Sequence, residues 1–331
     1  MTVPLAILDL ADVGPTETIA GRLRSSVELA QHAEGWGYRR VWYAEHHNMS
    51  TIASAATSVL IAHIAAHTRS IRLGAGGVML PNHSPLVIAE QFGTLASLHP
   101  GRIDLGLGRA PGTDQRTFRA LRRDPRAADR FPDDVLELQA YLRGDSLVPG
   151  VDATPGKGTD VPLYILGSSL FGAQLAAALG LPYAFASHFA PQALEPAVAA
   201  YREGFQPSPQ LADPYVMAGI NVIASDSVAD AQDQLLTARR RRAKLLFGRR
   251  DRRLTTDEVD LLLDSPAGQQ VDEMMRYTAA GTAQDVSGAL DRFAEHIGAD
   301  ELILASSATD QTRRLRTFEL IAETRGLTAA A

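Results

Sequence analysis

An α/β barrel of eight strand–helix units, with insertions after the fourth and seventh strands, is the fold that this sequence predicts. Three observations lead to it. Short β-branched and aliphatic runs alternate with longer segments of helical spacing, which indicates strand–helix units and a parallel sheet. The strand-like runs number eight, as a closed (β/α)₈ TIM barrel requires, and barrels often use a length near 331 residues as one domain. We therefore expect a single domain over residues 1–331, with an open doubly wound sheet as the alternative.

The predicted strands are short apolar runs that end in polar or glycine-rich segments: 5–9, 41–44, 71–76, 103–107, 163–166, 183–186, 215–224 and 301–304. The predicted helices carry apolar residues three and four positions apart: 23–33, 54–67, 86–98, 131–142, 171–179, 196–205, 286–297 and 312–324. The first helix stops at Gly35 and Gly37, and the third is closed by the turn His99-Pro100-Gly101, because glycine and proline end helices.

Three segments break this alternation. Residues 109–130 are rich in Arg, Pro, Gly and Asp, residues 144–162 show little periodicity, and residues 228–275 form a helical insertion after the seventh strand. Long irregular connections in a compact domain are usually functional lids or mobile surface. We therefore predict that residues 109–130 form a lid.

Composition excludes several classes of function. The net charge is −6 and the pI about 5.9, so no global positive field favours nucleic acid or an anionic membrane as partner. The chain has no cysteine, which excludes disulfides, thiolate metal sites and cysteine nucleophiles. It also lacks a signal peptide and any apolar run of about 18 residues, so we expect a cytoplasmic protein.

One basic segment stands out against this acidic background. Residues 239–253 contain nine Lys or Arg and one Asp, a local charge of +8. The segment would suit phosphate groups of a pyridine nucleotide or nucleic acid, but such runs are more often solvated helix faces. Phe247 is the one aromatic residue within it, so we prefer the solvated face.

Polar residues gather after the second strand, where Glu45, His46, His47 and Asn48 follow one another. Side chains alternate along a strand, so neighbouring histidines point apart, and the chain has no His-x-His pair. We therefore assign no metal and interpret one histidine as an acid, a base or a hydrogen-bond donor. A structural cap on the strand remains an alternative.

Glycines and anion-binding groups follow the next strands. After the third strand, the glycine-rich run 74–77 would let a flat ligand approach the backbone. After the fourth strand, the glycines around Gly106 and Gly108 have the wrong spacing for a dinucleotide-binding fingerprint. Arg109 suits a phosphate, and a surface arginine in a loop is an equal alternative. Ser168 and Ser169 precede a helix, where hydroxyls and free backbone N–H groups attract anions. His188 follows the sixth strand and could line the same mouth.

Six motifs, in this order and spacing, resemble the bacterial luciferase-like flavin-dependent monooxygenases, and in particular the single-chain alkanal-monooxygenase-like or MsnO-like branch. They are Tyr-Ala-Glu-His-His-Asn at 43–48, Gly-Gly-Val-Met-Leu-Pro-Asn-His at 76–83, Ala-Glu-Gln-Phe-Gly-Thr-Leu at 89–95, His-Pro-Gly-Arg-Ile-Asp at 99–104, Gly-Leu-Gly-Arg-Ala-Pro-Gly-Thr-Asp at 106–114 and Leu-Gly-Ser-Ser-Leu at 166–170. The similarity continues to residues 298–304 and so covers nearly the whole chain.

The resemblance implies FMN at the carboxyl-terminal mouth of the barrel. It implies that Arg109, Ser168 and Ser169 hold the phosphate, and that Ala75 and Gly76 lie against the isoalloxazine, where the family often has a non-prolyl cis peptide. It assigns His46 as the catalytic acid or base, and leaves Glu45, His47, Asn48, His83 and His188 as pocket candidates. The reactive cysteine of luciferases is replaced by Gly108, so luminescence with an aldehyde is not implied.

The resemblance further implies a monooxygenase that takes reduced FMN as cosubstrate from a separate NAD(P)H:flavin reductase. Reduced FMN and O₂ would form a flavin C4a-peroxide that oxidises a small organic substrate, in an enzyme that we expect to be a homodimer. Two other functions stay open: hydride transfer with the deazaflavin F420, and metal-assisted hydrolysis using Glu45, His47 and His188. A flavin-binding protein without catalytic activity is a further alternative.

Overall fold

Eight parallel strands close into a barrel surrounded by helices, as the sequence predicts. The computed structural model describes residues 3–14, 17–110, 113–248, 254–308 and 310–329. The strands are β1 Leu5–Asp9, β2 Arg40–Tyr43, β3 Arg72–Met79, β4 Ile103–Gly108, β5 Leu163–Gly167, β6 Tyr183–Phe185, β7 Val216–Ala224, β8 Thr278–Gly281 and β9 Glu301–Ser306. Strands β1 to β7 and β9 form the ring, which closes through the pairing of β6 with β7 and of β9 with β1.

The helices pack outside the ring and connect successive strands. They are α1 Ile19–Trp36, α2 Thr57–Ala65, α3 Pro85–Leu98, α4 Gln115–Ala120, α5 Phe131–Arg143, α6 Leu170–Leu179, α7 Leu194–Gly204, α8 Val228–Phe247, α9 Thr256–Leu263, α10 Pro266–Met274, α11 Ala283–Ile297 and α12 Gln311–Arg325. No helix in the described part of the chain is long and apolar enough to cross a membrane.

The short strand β8 was missed by the sequence analysis. It pairs with residues Asn221 to Ala224 at the end of β7, while β9 pairs with Met217 to Val222 of the same strand. With nine residues, β7 extends beyond the ring and offers an edge on which a further strand can pair. A segment of four residues such as β8 is too short for a period-2 pattern to stand out.

The two predicted insertions are present, but the first is more regular than expected. Within residues 109–130, α4 begins after Asp114, whose carboxylate accepts a hydrogen bond from the Thr117 backbone N–H, and a 3-10 helix covers Pro125–Arg130. Both helices are only six residues long, which is too short for a clear helical period. The second insertion, α8 to α10, is helical as predicted and has its own small apolar cluster with β7.

The first helix ends where the sequence places a glycine. Gly37 adopts a φ of +88°, and its N–H donates to the carbonyls of Ala33 and Glu34. A Cβ at this position would lie 2.3 Å from the Thr328 carbonyl oxygen, so the glycine also allows close approach of the carboxyl-terminal segment. Gly35, the other predicted stop, lies inside the helix.

A buried ion network fills the amino-terminal end of the barrel. Arg40 at the start of β2 contacts Asp104 at 2.7 Å and Glu301 at 2.9 Å, and it donates a hydrogen bond of 2.8 Å to the Tyr164 hydroxyl. Burial alone would lower the pKa of Arg40, but these two carboxylates outweigh it and keep the guanidinium charged. This end of a barrel usually serves stability, which leaves the opposite end for chemistry.

Candidate active site

A cavity of about 880 Å³ opens at the carboxyl-terminal end of the barrel, where the sequence places the site. Most of its lining is apolar, with polar groups on the loops after β2, β4, β5 and β6. The predicted site residues that line it are His46, His47, Asn48, Gly76, Arg109, Ser168, Ser169 and His188. Its volume lies near the upper end of the range for small-molecule pockets, about 300–1,000 Å³. A cofactor and a small substrate could therefore share it.

One wall of the cavity is bare backbone at the end of β3. Gly76 and Gly77 are joined by a cis peptide bond, and both line the cavity. A Cβ on Gly76 would lie 2.9 Å from Leu8 Cδ1, and one on Gly77 would lie 2.8 Å from the Gly106 carbonyl oxygen. Only glycine leaves this wall flat enough for a planar ligand.

Ala75, which the resemblance also places against the isoalloxazine, does not line the cavity. Its side chain is fully buried in the main core, and Gly77 occupies the cavity surface instead. The pairing of β3 with β4 shifts register between Ala75 and Val78, so side-chain alternation does not continue through this stretch. Sequence spacing alone gave no sign of the irregularity.

His46 lies at the end of β2 and lines the cavity. Its backbone N–H donates to the Ser54 carbonyl at 3.1 Å, which fixes the start of the loop. Burial lowers the pKa of its imidazole, so the ring is neutral at neutral pH. The Nδ1 atom is buried and has no hydrogen-bond partner, which leaves Nε2 as the nitrogen that can exchange a proton with a ligand.

Glu45 organises a cluster behind this wall. Its Oε1 atom accepts hydrogen bonds of 2.8 Å from Nε2 of His47 and from Nε2 of His83, and Oε2 accepts one of 3.1 Å from the Met79 backbone N–H. Burial would raise the pKa of Glu45, but these bonds outweigh it and lower the pKa to about 2. The bond with Glu45 raises the pKa of His47. Glu45 therefore holds β2, β3 and the following loop in one arrangement.

The donor atoms of Glu45, His47 and His83 lie within 4.8 Å of one another, a spacing that could also serve a cation. The hydrolase alternative placed His188 with Glu45 and His47. Among the described residues His188 belongs to no such group, and His83 takes that place. Glu45 and His83 do not line the cavity, so the cluster reaches it through His47.

An anion site lies across the mouth, after β4 and β5. The guanidinium carbon of Arg109 lies 4.2 Å from the centre of the Phe171 ring, and its Nε donates to the Ala128 carbonyl at 3.1 Å. Ser168 and Ser169 stand at the start of α6, and no side chain caps this helix. Ser168 and Ser169 line the cavity together with Arg109, and the first N–H groups of α6 follow directly after the two serines.

His188 forms the wall after β6. Burial, followed by the charge of Arg242, lowers the pKa of His188 to about 4, so its ring is neutral. Asn221 on β7 donates a hydrogen bond of 2.8 Å to the His188 carbonyl. A Cβ on Gly219 would lie 2.4 Å from His188 Nδ1, so this glycine makes room for the ring. The sequence analysis missed Gly219 and Asn221, since both lie within an apolar strand pattern.

The segment predicted as a lid lies over the cavity mouth. Asn48, whose φ is +55°, donates a hydrogen bond of 2.9 Å to the Thr117 hydroxyl. Arg123 Nε donates one of 3.1 Å to the Pro81 carbonyl. These bonds fasten residues 113–130 to the loops after β2 and β3, and Thr113, Asp114 and Ala128 of this segment line the cavity.

Comparison with known proteins decides the family. A family model described as "Luciferase-like monooxygenase" matches residues 3–301. The chain belongs to this family. A relative from Escherichia coli K12 named "Luciferase-like monooxygenase" is 47% identical over 321 residues, which is 96% of both chains. The prediction of an oxidoreductase of the monooxygenase type is thereby confirmed.

Two further proteins extend this family comparison. The crystal structure of apo-MsnO8 is 37% identical, with a TM-score of 0.89 over 99% of this chain and 100% of that one. The N-acetyl-S-alkylcysteine monooxygenase of Bacillus subtilis is 43% identical over 195 residues, 56% of this chain and 57% of that protein.

More distant structures share the fold. The oxygenating constituent of 3,6-diketocamphane monooxygenase from Pseudomonas putida, in complex with FMN, is 16% identical over 99% of this chain and 98% of that one, with a TM-score of 0.73. An F420-dependent secondary alcohol dehydrogenase is 17% identical over 96% of this chain and 98% of that one, with a TM-score of 0.71. Proteins of this fold thus bind FMN or F420.

The residues of this cavity fit a flavin. Gly76 and Gly77 line the cavity with backbone alone, and a Cβ on either would collide with neighbouring protein atoms. Arg109 and the uncapped start of α6 supply a positive site for a phosphate. Gly108 also lines the cavity, at the position where the resemblance places the luciferase cysteine, and a Cβ there would meet Met79 Sδ at 2.9 Å. A planar ring and a terminal phosphate are both accommodated.

Proposed function

We propose that this chain is a flavin-dependent monooxygenase that uses reduced FMN, delivered by a separate NAD(P)H:flavin reductase, and O₂ to oxidise a small organic substrate. One observation carries the proposal: two adjacent glycines, an arginine and the uncapped start of α6 line the same mainly apolar cavity. Reduced flavin, when bound, would supply the electrons that activate O₂.

Arg109, Ser168, Ser169 and the first N–H groups of α6 would hold the FMN phosphate. The guanidinium is planar and always charged, and its stacking on Phe171 limits the conformations it can adopt. Gly76 and Gly77 would lie against the ring system. This set differs from the sequence prediction only in the exchange of Ala75 for Gly77.

His46 would manage the proton. Because its pKa is lowered by burial, the imidazole is ready to accept a proton on Nε2 at neutral pH and to return it later in the cycle. The apolar lining and the segment 113–130 would exclude water, which protects reactive species from side reactions.

Titration with FMN and riboflavin tests the phosphate site, because the two differ only in the phosphate. Charge-assisted hydrogen bonds contribute about 1.5–3 kcal/mol, so Arg109→Gln should weaken FMN binding by about 10- to 150-fold and leave riboflavin nearly unchanged. Arg143→Gln, at an exposed position at the end of α5, is the matched control. Equal losses for the two flavins would remove Arg109 from the phosphate site.

The same titrations decide the cofactor. The wild-type chain should bind reduced FMN more tightly than F420, and a reductase-coupled assay should then consume O₂. Tighter binding of F420, or no affinity for flavin in either redox state, would overturn the proposal.

We also propose a homodimer. Val59 on α2 is 68% exposed, and Val87 and Leu98 on α3 are 43% and 66% exposed. The two helices are neighbours, joined by a hydrogen bond of 2.9 Å from Ser58 to Gln91. Exposed apolar side chains on two adjacent helices suit contact with a second copy. Sedimentation equilibrium tests this, and a monomer at all concentrations would refute it.

A further inference from the structure

His46 and His188 stand on opposite sides of the cavity. His46 follows β2 and His188 follows β6, and both residues line the cavity. Around the ring, these two strands are separated by β3, β4 and β5 in one direction and by β1, β9 and β7 in the other. The two imidazoles therefore lie at the boundaries between two halves of the barrel mouth.

The two halves differ in chemistry. The glycines of β3, Arg109 and the start of α6 belong to the β3–β5 half, where the proposed function places the flavin. The opposite half contributes Leu8 on β1, Leu10 directly after it and Ile303 on β9 to the cavity wall, and all three side chains are apolar. A substrate that shares the cavity with a flavin would therefore meet an apolar surface with an imidazole at either edge.

Few polar side chains of the wall are free to bind a substrate. Outside the proposed phosphate site, six described residues line the cavity with a charged, amide, hydroxyl or imidazole side chain. Four of these side chains already form hydrogen bonds within the protein, namely those of His47, Asn48, Thr113 and Asp114. The other two are His46 and His188, and no described residue forms a hydrogen bond with either ring.

The ring of His188 presents one nitrogen to the cavity. Its Nδ1 atom is buried without a hydrogen-bond partner and lies against Gly219, where a Cβ would come within 2.4 Å. The Nε2 atom is not closed off in this way. Because a buried N–H without an acceptor is costly, the tautomer with its proton on Nε2 is favoured. Nε2 is therefore a hydrogen-bond donor that is open to a ligand.

The surroundings of His188 keep this ring neutral and in place. Burial, followed by the charge of Arg242, lowers the pKa of His188 to about 4. The guanidinium of Arg242 lies over the Phe189 ring at 5.7 Å. The Asn221 side chain donates to the His188 carbonyl at 2.8 Å, and the Ser187 hydroxyl donates to the Gly219 carbonyl at 2.6 Å. A fixed, neutral imidazole donates a hydrogen bond without attracting an anion.

The basic segment adds no charged side chain to the described cavity wall. Three consecutive arginines of α8 form ion pairs: Arg239 with Asp272 at 2.8 Å, Arg240 with Asp260 at 2.7 Å and Arg241 with Asp12 at 3.6 Å. These pairs fasten α8 to α10, to α9 and to the loop after β1, which fits the preferred interpretation of the segment. Residues 249–253 lie outside the described residues.

We propose that His188 donates a hydrogen bond from Nε2 to an oxygen atom of the substrate, and that the substrate is an uncharged, mainly apolar molecule. This proposal rests on the proposed function, which assigns Arg109 to the cofactor phosphate and His46 to proton transfer. His188 is then the remaining side chain of the described wall whose polar group has no partner. The apolar half at β1 and β9 would hold the rest of the substrate.

Acetophenone and α-methylstyrene are a matched pair of probes for this hydrogen bond, because a CH₂ group in the second replaces the carbonyl oxygen of the first. α-Methylstyrene is the more apolar probe, so the informative quantity is the ratio of the two affinities and its change on mutation. His188→Leu should lower the affinity for acetophenone, relative to that for α-methylstyrene, by about 2- to 12-fold, as expected for one neutral hydrogen bond. Calorimetry with the purified full-length chain measures both affinities.

Two conservative replacements show which nitrogen acts. The amide nitrogen of glutamine can take the position of Nε2, whereas that of asparagine lies nearer the position of Nδ1. His188→Gln should therefore retain part of the preference for acetophenone, and His188→Asn should lose as much of it as His188→Leu. His296→Leu removes an exposed histidine at the end of α11 and should leave the ratio unchanged.

Four results would overturn the proposal. They are no binding of acetophenone to the wild type, an unchanged ratio in His188→Leu, an equal fall in His296→Leu, and a fall confined to His46→Leu, which would assign the substrate oxygen to His46. If circular dichroism shows that His188→Leu does not fold, His188→Asn takes its place in each comparison.

The same probe titrations, run without and with FMN, separate this proposal from the proposed function. Absence of flavin binding to the wild type would refute the proposed function, whereas the ratio measured on the flavin-free chain still tests His188. If FMN binds and the ratio is the same in the wild type and His188→Leu, the proposed function stands and the role of His188 is refuted.

Discussion

Replacing Glu45 with Gln removes one negative charge from the end of β2 and keeps the volume of the side chain. In the wild type, the carboxylate accepts hydrogen bonds from His47, His83 and the Met79 backbone N–H, and the side chain is 2% exposed. A glutamine has one acceptor oxygen, and its amide NH2 group would face one of these three donors. Two donors cannot share a hydrogen bond, so at least one bond would be lost. We expect the variant to fold with lower stability and a less ordered end of β3.

The size of the effect follows from the pKa of Glu45. It is about 2 in the folded chain, against an ordinary value of 4.5. This difference corresponds to about 3 kcal/mol of stability, as an upper bound. Because the folded pKa is depressed, the contribution is complete above pH 4.5 and is lost as the pH falls toward 2. At pH 4 about 0.8 kcal/mol of it is already lost.

Urea unfolding of the wild type and Glu45→Gln at pH 7, 5 and 4 measures this contribution. The wild type should exceed the variant by about 3 kcal/mol at pH 5, and the gap should narrow by about 0.7 kcal/mol at pH 4. Between pH 7 and pH 5 the gap should widen, because Glu45 raises the pKa of His47 and so favours protonated His47 in the folded wild type. Glu203→Gln, an exposed position in α7, is the control and should show no gap. In NMR titrations, the raised pKa of His47 should return toward 6.5 in the Glu45→Gln variant. A gap that does not narrow between pH 5 and pH 4 would refute the reasoning.

Three further predictions follow from the same structure. Arg40→Met removes the guanidinium that the buried carboxylates of Asp104 and Glu301 share, so thermal unfolding should show a loss of about 3–5 kcal/mol. Asp104 keeps its contact with Arg72, and a loss below 1 kcal/mol would contradict a stabilising role for Arg40 in this network. His46→Gln should slow substrate oxidation by about 10²- to 10⁴-fold while flavin affinity stays within about twofold. Burial disfavours the charged imidazolium of His46, so the acid limb of the wild-type pH–rate profile should report a pKa below 6.5. This limb should disappear in His46→Gln. Unchanged turnover in the variant would remove His46 from the mechanism. Gly219→Ala places a Cβ 2.4 Å from His188 Nδ1, so it should displace that ring and raise KM more than it lowers kcat, and unchanged kinetics would argue against a role for this wall.

Many of the residues that line the cavity could be predicted from their positions directly after the strands. In a barrel, the end of every strand points to the same mouth, so residues that directly follow strands meet there without any knowledge of contacts. This is why His46, Arg109, Ser168 and His188 were found from local pattern alone. The anion site is a similar case, because serines before a helix and an arginine after the preceding strand are both local signals.

Contacts between residues of different loops could not be predicted from sequence position. His83 joins Glu45 because the loop after β3 folds back over the end of β2, and its position in the chain did not indicate this partner. Gly77 replaces Ala75 at the cavity because β3 shifts register against β4, which is a property of the pairing and not of either strand.

The sequence by itself therefore determined the eight-stranded barrel, the family resemblance and the end of the barrel that carries the site. These features depend on the hydrophobic periodicity of each segment and on the order of the segments along the chain, and both are visible in the sequence without any knowledge of contacts. The tertiary structure decided that β8 pairs outside the ring, that Glu45 accepts hydrogen bonds from two histidines, and that Gly77 and not Ala75 lines the cavity. Each of these depends on which side chains from distant parts of the chain come within a few ångströms of one another, and only packing sets those distances.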